Sequence, residues 1–163
     1  VRRARPPVVL GTGDVALRAP PLLSRRRPAA YRHLPDRQDA LPPIIRMAAV
    51  TLDCPDPPAL AAFYREATGL PLHPSSDAEF AGLTTEAGLL FGFQLAPDHR
   101  PPTWPDPAVP QQAHLCFDVD DLDAAQSALL DLGATVPAAQ PDPGRYRVLL
   151  DPAGHPFCLS PRG

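Results

Sequence analysis

From Met47 onward, apolar and polar positions fall into short blocks, each stopped by proline or glycine. The segment Ala48-Ala49-Val50-Thr51-Leu52-Asp53 is apolar with some alternation, which predicts a strand, and Cys54-Pro55-Asp56-Pro57-Pro58 ends it. A helix is predicted next. Asp56 is a suitable N-cap, prolines are tolerated in the first turn, Leu60, Phe63 and Ala67 recur at i, i+3 and i+7, and Gly69 supplies the stop. Three short strands are expected after it, at 70–73, 79–85 and 89–95, the last two joined by a Glu86-Ala87-Gly88 turn.

The same order then starts again. Ala113 to Val119 predicts a strand, Asp120 and Asp121 are cap candidates, and Leu122, Ala125, Leu129 and Leu132 share one helical face that ends at Gly133. Strands near 134–137, 145–150 and 156–160 follow, with Asp151-Pro152-Ala153-Gly154 as the last turn. Aligning Asp56 with Asp121 gives an internal repeat of two βαβββ modules at an offset of 65 residues. Between the modules, about 47–95 and 113–163, the proline-rich stretch 96–112 reads as a stiff extended linker.

Charge separates this α+β region from what precedes it. Of the 163 residues, those before Met47 hold ten of the 15 basic and three of the 18 acidic side chains, a net of +7 against −10 for the rest. The basic part carries repeated prolines, the run Arg25-Arg26-Arg27 and no sustained period, so it lacks apolar surface to offset its ordering entropy. Residues 1–46 are expected to be a disordered extension upstream of the natural start, since the first methionine is Met47. A nucleic-acid tether is the competing reading of its arginines, but no aromatics interleave with them except Tyr31, and every basic residue of the chain is arginine. Neither a secretory signal nor a membrane span is legible. Three cysteines without a C-x-x-C pair read as reduced thiols, giving a cytoplasmic expectation.

Three ordered motifs, LDCPDPPALAAFY, HLCFDVDDLDAA and LLDPAGHPFCLS, resemble the glyoxalase-like subgroup of the glyoxalase and bleomycin-resistance (vicinal oxygen chelate) superfamily. The resemblance covers essentially all of 47–163. It implies an open eight-stranded barrel-like trough, a homodimer, a small organic molecule as partner and, in many members, a divalent metal held by residues of the first and last strands of each module.

Carried onto this sequence, the resemblance matches His114 to a metal-ligand position, while its counterpart in the first module is Ala49. Cys158 stands where a glutamate is common, and its equivalent 65 residues earlier is Phe93. One histidine and one thiol fall short of the roughly three protein ligands a catalytic site needs. Alternation places Cys116 and Asp118 on the face of His114, and Thr51 and Asp53 beside Ala49. Asp53 and Asp118 either meet in a low-dielectric trough as a general acid and base, or bond nearby backbone amides as strand-end residues. Trp104 either closes over the trough or packs under the linker. His155, in the last turn, is expected to be exposed. The sequence supports a small-molecule binding protein first, with His114, Asp53, Asp118, Phe93, Cys158 and Trp104 as ligand contacts. A metal-dependent lyase or dioxygenase and a partner-binding regulatory domain are the alternatives.

Overall fold

The computed structural model describes residues 45–162, so the expectations for the basic extension fall almost wholly outside the described residues. β1 (Ala49–Cys54) leads into α1 (Pro57–Thr68), followed by β2 (Phe80–Thr84) and β3 (Leu90–Leu95). The second set is β4 (Leu115–Val119), α2 (Leu122–Asp131), β5 (Arg147–Leu150) and β6 (Pro156–Pro161). Each set makes a three-stranded mixed sheet with the same topology, β1-β3-β2 and β4-β6-β5. In both, the first and last strands pair parallel and the last two antiparallel.

Both helices begin as the sequence dictates. Asp56 accepts from the Ala59 amide at 3.0 Å and Asp121 from Ala124 at 2.7 Å, each meeting one of the amides a helix start leaves unpaired. Gly69, at φ 72°, ends α1 in the left-handed conformation that glycine adopts without strain.

Two of the eight expected strands shrink to single bridges among the described residues, Leu72 with Leu83 and Thr135 with Leu150. Pro71 and Pro74 flank the first of these and Pro137 follows the second, and a proline has no amide to continue a ladder. The 96–112 connection is not an extended strap. Thr103 and Val109 close a compact loop, the Thr103 amide donating to the Val109 carbonyl at 2.9 Å and the Val109 amide to the Thr103 hydroxyl at 2.9 Å.

Register sorts the side chains onto two faces. Val50, Leu52, Phe91, Phe93, Ala81 and Leu83 point to one side of the first sheet, and Phe117, Phe157, Leu159 and Leu149 to one side of the second. All of these except Val50 join Leu60, Phe63 and Tyr64 of α1 in one apolar core. Tyr64 binds the two sheets to each other. Its ring stacks on Phe93 at 5.4 Å, stands edge-on to Phe91 at 4.8 Å, and approaches Phe117 and Phe157 of the second sheet at 6.1 and 6.3 Å. The opposite face of each sheet lies away from this core and is open in part, with Thr51, Asp53, Gln94, Cys116 and Asp118 exposed on it.

Candidate functional site on the open sheet faces

The open face of the first sheet carries Ala49, Thr51 and Asp53 from β1, Leu90, Gly92 and Gln94 from β3, and Phe80 and Gly82 from β2. Gly82 and Gly92 are directly paired. A Cβ on Gly92 would lie 2.8 Å from the Phe80 ring and 3.0 Å from the Thr51 hydroxyl, and one on Gly82 would lie 2.8 Å from Leu90. The outer end of the Phe80 ring therefore occupies the space two missing side chains leave. Sequence reasoning missed Phe80, although two glycines inside strands are the mark of such an approach.

On the second sheet the open face carries His114 just before β4, Cys116 and Asp118 on it, Cys158 and Ser160 on β6, and Tyr146 and Val148 from the opposite edge. Cys116 and Cys158 are direct partners across the parallel pair. The donor atoms of His114, Cys116 and Cys158 all lie within 4.8 Å of one another. Burial pushes the Cys158 thiol up to about 11, the adjoining Cys116 adding to the effect. Cys116 is also raised by burial and by Asp118, its hydrogen bond with Cys158 opposing. Burial, then the Cys158 sulfur, raises the Tyr146 phenol. Both thiols are therefore protonated near neutrality and poor nucleophiles on their own.

The other expected site residues separate. Phe93 is fully buried and stacked on Tyr64, so it contacts no ligand from the open side. The reason is register: Thr51 and Cys116 are 65 positions apart, but their partners on the last strands, Gly92 and Cys158, are 66 apart. The second module is one residue longer between its first and last strands, and Gly92, not Phe93, is the counterpart of Cys158. The same slip puts Gln94 on the open face beside Asp53. Asp53 and Asp118 are both exposed on the open faces, outside any low-dielectric enclosure. Trp104 is half-buried within the loop that Thr103 closes.

His155 is not exposed. Its ring nitrogen lies 3.0 Å from Asp151 in the β5–β6 turn, and its side chain is 14 % accessible. Asp151, itself buried, accepts from the amides of Ala153 and His155 and from the Tyr64 hydroxyl. His99 from the connection meets the Ala153 carbonyl at 3.0 Å, where its ring must donate.

Against known proteins, a family model for the glyoxalase-like domain matches residues 49–160. The chain belongs to the glyoxalase-like family. It is thereby a member of the vicinal oxygen chelate superfamily, and the paired α+β modules agree with that membership. No curated protein matches it.

Solved structures share the fold. A glyoxalase/bleomycin resistance protein/dioxygenase family enzyme from Burkholderia phytofirmans PsJN superimposes with a TM-score of 0.57 at 22 % identity, covering 72 % of this chain and 98 % of that one. A possible glyoxalase from Bacillus cereus gives 0.54 at 15 % identity over 71 % and 98 %. The oxidase ChaP-H2 gives 0.51 at 19 % over 74 % and 95 %.

Within the family frame, a metal held between both modules does not fit these residues. The matched first-module positions are Ala49, which has no donor atom, and Gly92, which has no side chain. Among the described residues, the histidine, cysteine and carboxylate donors that converge all belong to the second module. No helix of the described residues is long and apolar enough to cross a membrane.

Proposed function

We propose that this glyoxalase-like protein binds a small, planar organic molecule on its open face, without a metal shared between the modules. The observation that carries this reading is the Phe80 ring seated over Gly82 and Gly92, with Thr51 beside it. An aromatic ring held there offers large contact area at low conformational cost. Asp53 and Gln94, paired in register and exposed, flank it as hydrogen-bonding groups, which favours a ligand bearing an amine or hydroxyl donor.

Two further features belong to the same reading. The Leu72 and Thr135 bridges widen each three-stranded sheet toward four, in keeping with an eight-stranded trough, and a second copy is the proposed partner that encloses it. Light scattering on the full chain would test the homodimer. Free Cys54, Cys116 and Cys158 are in keeping with work in the reducing cytoplasm.

The test is a thermal-shift screen of planar aromatic amines and phenols against the full chain, with chelator present throughout. Binders should raise the melting temperature, and Phe80→Ala should remove that rise. A panel without a single stabilising compound, or an equal rise with Phe80→Ala, would sink the proposal.

A further inference from the structure

We propose that His114, Cys116 and Cys158 form a site for a thiophilic divalent ion, Zn²⁺ or its surrogate Cd²⁺, built entirely by the second sheet. The parallel pairing of β4 and β6 sets Cys116 opposite Cys158, and His114, just before β4, brings a ring nitrogen within 4.8 Å of both sulfurs. No motif pointed to Cys116 as a donor; the register supplies it.

The geometry lies close to what such an ion needs. Zn–S bonds of about 2.3 Å and Zn–N bonds of about 2.1 Å in a tetrahedron hold donors about 3.6–3.8 Å apart. The three donors here fall within 4.8 Å of one another. Cys158 is buried, whereas His114 and Cys116 are exposed, so rotation of these two side chains would close the difference.

The donor set also selects the ion. Two sulfurs and one imidazole suit zinc and cadmium and are poor partners for magnesium or manganese, which favour oxygen. The ion would displace protons from the two thiols and bind them as thiolates. Asp118, two positions beyond Cys116 on the same face and exposed, adds a favourable negative charge. With three protein donors, a four-coordinate ion would keep one position for water or a ligand atom.

This site stands apart from the small-molecule reading, because metal uptake is measured with no organic ligand present. The full chain, kept reduced, is titrated with Cd²⁺ while the near-ultraviolet sulfur-to-metal charge-transfer band is followed. In parallel it is equilibrated with Zn²⁺, desalted and analysed for metal. The band should saturate at about one ion per chain, with about one zinc retained. Cys116→Ser, at an exposed position, should abolish the band and the retained zinc. His114→Ala should weaken binding about tenfold or more, and Asp53→Asn on the other sheet should change neither. Absence of the band in the reduced wild-type chain, or an undiminished band in Cys116→Ser, would overturn the proposal.

Discussion

Tyr64 donates its phenol hydroxyl to Asp151 at 2.9 Å, joining a helix of the first module to a turn of the second across 87 positions of sequence. Both groups are buried, and the same ring touches aromatic residues of both sheets. The contact locks the two halves polar end and apolar body together. A hydrogen bond to a charged partner contributes about 1.5–3 kcal/mol. Tyr64→Phe should therefore lower unfolding free energy by about that much in urea titrations. Asp151→Ala should cost more, because it strands the Tyr64 hydroxyl and the two turn amides together.

Alkaline pH should erode the same core. Burial pushes the Cys54 thiol from about 9 up to about 11, the neighbouring aspartates adding to it and a hydrogen bond with the Asp56 backbone opposing. Burial and Asp151 also drive the Tyr64 phenol well above its ordinary value. In the unfolded chain the thiol loses its proton near pH 9 while the folded chain keeps it, so the folded state binds more protons and stability falls as pH rises. The loss begins above about pH 9 for Cys54 and above about pH 10 for Tyr64. Urea midpoints at pH 8, 9 and 10 should decline progressively, and Cys54→Ala should lessen the first part of the decline, to which Cys158 also contributes.

How much of this was legible in the sequence follows from the range of the interactions. Local signals read well: Asp56 and Asp121 cap their helices because a carboxylate three positions before an amide needs no tertiary partner. Parity within a strand also read well, placing Cys116 and Asp118 on the His114 face. What failed depended on distance along the chain. An offset of 65 holds at the caps, but the extra residue before the last strand makes it 66, and at a period of two that slip moved Phe93 from the core to the imagined site. The His155 pairing was hidden for another reason: a turn histidine looks exposed until Tyr64 arrives from the other module to bury its aspartate.

Gly154 should be the least replaceable glycine of the second module. Its φ is +87°, and a Cβ there would sit 2.5 Å from Pro101 Cβ, where the connection crosses the β5–β6 turn. Gly154→Ala combines a left-handed cost of about 1–2 kcal/mol with overpacking of about 1–3 kcal/mol. Gly88, at φ +75° with nothing within 4 Å, carries only the first of these. Denaturant midpoints should therefore fall clearly further for Gly154→Ala than for Gly88→Ala, and equal falls would show that Pro101 yields freely.

α2 should open more readily than α1. Pro57, Leu60, Ala61, Phe63 and Tyr64 of α1 are buried, whereas no α2 residue is fully so. A cavity of about 350 Å³ separates the helices, lined by Phe63 and Ala67 on one side and Ala125, Leu129 and Leu132 on the other. Leu122, Ala125 and Leu129 meet the core only half-buried, and the rest of what holds α2 is polar. Arg147 of β5 pairs with Asp123 at 2.6 Å and donates to Gln126 and the Leu122 carbonyl, all within the first turns. An ion pair whose carboxylate is largely exposed is a weak tether. Amide hydrogen exchange should thus be faster across α2 than across α1, and fastest in its C-terminal turns, which Arg147 does not reach. Ala128→Leu, projecting into the cavity, should slow that exchange by burying apolar surface the helix now lacks. Equal protection of both helices in the wild-type chain would show that α2 is anchored by something other than these contacts.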